Sequence, residues 1–178
     1  MDLGGSSVLA IQKARNWVAL GLMSAIALAV MPAWSVEPGQ LAPEFQLASR
    51  SGTLRLSDLR GSTVYLDFWA SWCGPCKQSF PWMNEMQARY GAQGLKVVAV
   101  DVDQKSPEGR AFLERVRADF EVVFDPQGGT PKAYSVKAMP SSLLIGPDGR
   151  VIFTHSGFRM DERQDLERRI RQALQIKD

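Results

Sequence analysis

An apolar run from residue 64 to residue 70 leads straight into Cys73-Gly74-Pro75-Cys76, and a helical pattern follows as far as Tyr90. Those two cysteines are the only ones in 178 residues. The pattern is a strand that delivers two thiols to the start of a helix. Cys73 and Cys76 are three apart, so within a first helical turn they share a face and can close a short disulfide. Gly74 permits the tight entry. Pro75 is tolerated in the first turn, where its missing N–H would have had no partner.

The chemistry follows from the position. A thiolate at a helix N-terminus faces unpaired N–H groups and the positive end of the dipole, which favour its charge. Cys73 is then expected to be the exposed nucleophile that attacks a substrate disulfide. Cys76, one turn deeper, is expected to attack the mixed disulfide and release the reduced product. Half of a zinc site is the competing reading. Zinc usually takes about four ligands, and two cysteines with one histidine fall short.

Residues 1–35 read as a segment apart from the domain at 36–178. Lys13 and Arg15 precede an uncharged run from Trp17 to Met31, and Ala33 and Ser35 suit the small-residue positions of a signal-peptidase site before Val36. The run is short of the ~20 apolar residues of a membrane span, although counting on to Val36 nearly reaches it, so a retained anchor is the alternative. Either way the domain is expected outside the cytoplasm. An oxidising compartment encourages structural disulfides, yet both cysteines lie in the motif, so they look kept for exchange.

With 21 basic and 19 acidic side chains, nothing in the charge balance suggests nucleic acid or a membrane surface. In chain order, the residues around Ser51-Gly52 suggest two short strands, 44–48 and 53–56, before the central strand. That strand is apolar on both faces except for Asp67, as expected when both faces are covered. Phe80, Met83, Met86 and Tyr90 give the next helix one buried face, with Pro81 predicted to kink it. A strand at 95–102, an amphipathic helix at 107–119, a strand at 121–124 and a short helix at 130–134 follow. Residues 141–145 and 150–154 flank the turn Gly146-Pro147-Asp148-Gly149. The last helix, 161–176, opens on what looks like a capping box, Asp161 with Gln164, and buries Leu166, Ile170 and Leu174. Arg168, Arg169 and Arg171 read as its solvated face. This order implies a mixed sheet with helices on both faces.

Asp67-Phe68-Trp69-Ala70-Ser71-Trp72-Cys73-Gly74-Pro75-Cys76, with Lys77 and Pro81 beyond it, resembles the active-site segment of thioredoxin. The extra helix and strand at 107–124, and the segments 77–83, 95–100 and 138–145, resemble the TlpA/ResA group of exported thioredoxin-like proteins. The similarity covers residues 38–176. It implies an α/β thioredoxin fold, a mixed central sheet with helices on both faces, carrying a helix–strand insertion. It also implies a thiol–disulfide oxidoreductase acting mainly as a reductant, with no cofactor beyond the Cys73–Cys76 disulfide. A membrane thiol reductase would be the electron donor. Disulfide-containing exported proteins, apocytochrome c among them, would be acceptors.

The resemblance assigns further site residues. Met139-Pro140 matches the place where the fold holds a cis-proline opposite the cysteines, which would present the Met139 backbone to an extended substrate. Trp72 is the other expected substrate contact. Asp67 matches the buried aspartate of thioredoxin, and a carboxylate buried without partners has its proton affinity raised. Near Cys76 it could take that thiol's proton for the release step. Two departures stand out. The lysine that accompanies the aspartate in thioredoxin is Ala99 here, and the glutamate of ResA-type proteins is Ser79. Where cytochrome-dedicated relatives carry a glutamate after the cis-proline, this chain has Ser141.

His155, the only histidine, falls on the second strand of the hairpin and reads as structural or surface. Copper-delivery relatives carry theirs before the hairpin. A copper module using Cys73 and Cys76 as soft ligands, and a dithiol oxidase, are the competing functions. A peroxiredoxin reading lacks its Pro-x-x-x-Thr-x-x-Cys frame.

Overall fold

The computed structural model describes residues 36–176, so the expected leader lies outside the described residues. Seven strands form one mixed sheet: β1 (Gln46–Ser49), β2 (Thr53–Arg55), β3 (Thr63–Trp69), β4 (Leu95–Asp101), β5 (Glu121–Phe124), β6 (Ser141–Ile145) and β7 (Val151–Ser156). Their order across the sheet is β2-β1-β5-β4-β3-β6-β7. The helices are α1 (Gly74–Tyr90), α2 (Ser106–Leu113), α3 (Gly129–Ala133) and α4 (Arg163–Ala173). This is the thioredoxin-like architecture expected, with α2 and β5 as the insertion.

β3, β4 and β5 run parallel, and β6 returns antiparallel along the other side of β3. Parallel neighbours need crossover helices on the sheet faces, so the middle strands are covered on both sides. Every residue of β3 is buried. The side-chain period of two divides it cleanly. Val64, Leu66 and Phe68 enter one core with Val98, Val100 and Tyr134, while Tyr65 and Trp69 enter the other with Phe80, Met83, Phe112, Leu166 and Ile170. Helices α1, α2 and α4 therefore share the face towards which Asp67 also points.

Several boundaries differ from expectation for identifiable reasons. α2 stops at Leu113 instead of continuing to residue 119. Asn84 of α1 holds the following loop, donating to the Arg117 carbonyl at 2.9 Å and accepting from the Asp119 N–H at 2.7 Å. Those backbone groups are thus satisfied outside a helix. Pro81 lies within a helix that runs unbroken from Gly74 to Tyr90. The expected capping box at Asp161 is absent. Asp161 pairs with Arg159, and the residue preceding α4, Glu162, makes no side-chain cap. The arginines of α4 are less free than expected: Arg168 and Arg169 both pair with Asp165, and Arg169 lies 4.1 Å from the centre of the Phe153 ring. Among the described residues, no helix is long and apolar enough to cross a membrane.

Candidate active site

β3 ends at Trp69, and a short turn carries the chain to Cys73, which caps α1. The turn is closed by the Cys73 N–H, which donates to the Ala70 carbonyl at 3.0 Å. Cys73 and Cys76 form a disulfide with Cα atoms 5.3 Å apart. Within it, the backbone N–H of Cys76 donates to Cys73 Sγ at 3.3 Å. A first-turn amide that has no helical partner is therefore aimed at the sulfur of Cys73. Cys76 is fully buried and Cys73 is 4% exposed. The order of exposure is as expected, but Cys73 is far more covered than a freely exposed thiol. The turn explains this: closing on Ala70, it brings Cys73 back into the core, while Trp72 before it is 68% exposed.

Asp67 is 2% exposed, and its Oδ2 is buried without a hydrogen-bond partner. Burial pushes its carboxyl well above the usual carboxylate range. Its neighbours across the sheet are Ala99 on β4 and Ser142 on β6. Ala99 offers no cation, as the sequence indicated. Two residues back along the same face, the Tyr65 hydroxyl donates to Ser142 Oγ at 2.8 Å. Burial, with the Asp67 charge as a second cause, raises the tyrosine beyond its ordinary range. Cys76 packs in the same core as Tyr65, Trp69 and Ala99, so the acid lies on the face that receives the second thiol.

The Met139–Pro140 peptide is cis, as the resemblance implied. Register puts it at the right end of the sheet, because Ser141 pairs with Phe68 near the end of β3. The Gly157 N–H takes the Pro140 carbonyl at 2.7 Å. The N–H and carbonyl of half-buried Met139 have no hydrogen bond among the described residues. Ser79, in place of a glutamate, donates to the Cys76 carbonyl at 3.0 Å.

His155 is not part of this group. It pairs across β6 with Ser142, two strands from β3, and its Nε2 lies 3.4 Å from Glu162 without hydrogen-bond alignment. Among the described residues, no group of three or more His, Cys, Asp or Glu could hold a metal ion. Two residues that the sequence reading passed over touch the turn or its support. Asp103 accepts from Ser71, and Asp101 accepts from Asp103. Their signal was available: like Asp67, they are charges in or just beyond an apolar strand, 95–102.

The sequence pattern of the AhpC/TSA family matches residues 38–154. The chain belongs to that family. It is 36% identical over 124 residues to the thiol-disulfide oxidoreductase ResA of Bacillus subtilis (strain 168), covering 69% of each chain. It is 38% identical over 136 residues to ResA of Geobacillus thermodenitrificans (strain NG80-2), covering 75% of this chain and 78% of the relative. A crystal structure described as thiol:disulfide interchange protein DsbE from Chlorobium tepidum is similar at 54% identity and a TM-score of 0.78. That match covers 79% of this chain and 99% of the other. This family member is a thiol–disulfide oxidoreductase with a thioredoxin-like fold, and its substrates are disulfides.

Proposed function

We propose that the chain reduces disulfides of exported proteins through the Cys73–Cys76 pair, with apocytochrome c as one substrate. The observation that carries this reading is the Cys76 N–H aimed at Cys73 Sγ, which stabilises charge on that sulfur and not on its partner. Cys73 thiolate attacks a substrate disulfide, forms a mixed disulfide and expels one substrate thiolate. Cys76 then gives its proton to the Asp67 carboxylate and attacks Cys73 Sγ. The Cys73–Cys76 disulfide forms, the second substrate thiolate leaves, and two electrons have passed to the substrate. A membrane thiol reductase returns them.

Trp72, exposed beside the pair, and the Met139 backbone, unpaired at the start of β6, would hold an extended substrate strand against Cys73. Pro140 keeps that strand end in register beside β3. Residues 1–35 serve as a leader cleaved before Val36, leaving the domain outside the cytoplasm; retained, they would anchor it.

The test is trapping. Cys76→Ser should accumulate a mixed disulfide with substrate, and Cys73→Ser should accumulate none. Equal trapping by both variants would sink the division of labour. The Cys73–Cys76 reduction potential separates reductant from oxidase: equilibrium with glutathione should leave this pair largely oxidised, and a pair that stays reduced would favour the oxidase.

A further inference from the structure

The turn that presents the cysteines is held by two buried carboxylates at the end of β4. Asp103 accepts twice from Ser71: its Oδ2 from the backbone N–H at 2.9 Å and its Oδ1 from the hydroxyl at 3.2 Å. Asp103 is itself fixed, because its own N–H donates to Asp101 Oδ1 at 3.0 Å. Asp101 packs against α2, where a Cβ on Gly109 would fall 1.7 Å from Asp101 Oδ2. Only glycine lets the carboxyl sit there. Ser71 lies two residues before Cys73, and between them Trp72 projects into solvent. Packing of Trp72 therefore does little to fix the turn. The carboxylate clamp on Ser71 adds a second hold to the Cys73 N–H bond to Ala70 that closes the turn.

We propose that Asp103 is a positioning residue for the cysteine pair, acting through both polar groups of Ser71, and that Asp101 holds Asp103 in that role. The physical need comes from the reaction. Exchange requires the attacking sulfur to lie in line with the S–S bond it breaks, and a misplacement of about 1 Å can cost up to about a hundredfold. A turn free to pivot at Ser71 would spread Cys73 over many misaligned positions. The inference rests on the reading of Cys73 as nucleophile.

The reduced full chain is mixed with glutathione disulfide, and oxidation of the cysteine pair is followed by tryptophan fluorescence. Cys73 thiolate forms a mixed disulfide and releases one glutathione thiolate; Cys76, losing its proton, closes the intramolecular disulfide and releases the other. Asp103→Ala should slow the first step about tenfold per folded molecule. Asp103→Asn keeps an oxygen to accept the Ser71 N–H and should recover most of that loss. Ser71→Ala deletes only the hydroxyl bond and should slow the step roughly two- to threefold. Alkylation by iodoacetamide, at a pH where the thiol is fully ionised, should stay within about twofold of wild type in all three, since that reagent needs no alignment with a disulfide.

A purely structural role would lower the melting temperature and leave exchange per folded molecule unchanged, and that result overturns the proposal. An Asn variant as slow as the Ala variant overturns the route through Ser71. Should Asp103→Ala fail to fold, a Ser71→Ala variant with wild-type exchange is sufficient to reject the idea. Failure of Cys76→Ser to trap substrate would remove the nucleophile reading instead, and the two failures are distinguishable.

Discussion

β3 and β4 lie side by side in parallel register, and the buried carboxyl on β3 sits in surroundings unlike those of the two at the end of β4. Asp67 on β3 has a carboxylate oxygen with no partner and faces the core that holds Cys76. Asp103, just beyond β4, accepts from Ser71, and Asp101 accepts from the Asp103 N–H through Oδ1, although Asp101 Oδ2, like Asp67 Oδ2, has no partner. Burial disfavours charge in both places, but hydrogen bonds donated to a carboxylate favour it. Burial pushes Asp101 up to about 7, reinforced by the Asp103 charge, while the Asp103 N–H and Arg110 pull the other way. An acid without donors is suited to carrying a proton. One that is held by donors is suited to fixing geometry. The same residue type, one strand apart, is thus suited to proton transfer in one place and to positioning in the other.

The sharpest way to break this contrast is Asp67→Asn. The variant should attack substrate through Cys73 nearly normally and resolve the mixed disulfide about tenfold more slowly near neutral pH, below the usual general-base range because Cys76 can ionise unaided. The deficit should shrink as pH rises. Stopped-flow single turnovers across pH measure it, and an unchanged profile would reduce Asp67 to a structural residue. The fold should be at least as stable as wild type at neutral pH, since a buried acid with an unpartnered oxygen has gone.

Asp101→Asn probes the other side of the comparison through stability. Asp101 binds its proton more tightly folded than unfolded. It therefore stabilises the fold fully below the ordinary carboxylate range, and that contribution is lost as pH rises from about 4 through about 7. Among groups facing it, Asp103 on its own segment and Arg110 on α2 pull in opposite directions. The variant should flatten this slope and gain on the order of 2 kcal/mol over wild type above neutral pH, relative to the difference near pH 4. Urea melts at the two pH values read it. A slope left intact would mean that Asp101 does not titrate in this window.

The contrast also shows what a sequence makes legible. The cysteine pair and the central strand could be read because periodicity and spacing carry them, and the insertion because of the family resemblance: β3 at Thr63–Trp69 and α1 at Gly74–Tyr90 fall within a residue or two of expectation. Asp67 stood out as one charge amid seven buried positions. Asp103 did not, because its meaning lies in a contact to Ser71, 32 residues away in sequence. The early end of α2 escaped for the same reason, being imposed by Asn84 across 33 to 35 residues. The capping box at Asp161 was a local signal overruled by a nearer partner, Arg159. Local patterns specify elements; the contacts that tune a site are long-range.

The smallest effect tests whether the surroundings of Asp67 are as inert as its missing partner suggests. Ser142 lies opposite Asp67 and accepts from the Tyr65 hydroxyl, so Ser142→Ala strands a buried donor and should cost about 1–2 kcal/mol. Tyr65→Phe removes donor and demand together and should cost less, and the double variant should be no worse than Ser142→Ala alone. If Asp67 works without help, none of the three should move the midpoint of the single-turnover pH profile appreciably, although Ser142→Ala lowers the urea midpoint. A stranded hydroxyl that turned to donate to Asp67 would favour its ionised form and draw that midpoint to lower pH. Tyr65→Phe, with no hydroxyl to turn, would then leave it in place. That pair of outcomes would give Asp67 a latent donor in Tyr65, and the division between a free acid and a held one would become a matter of degree.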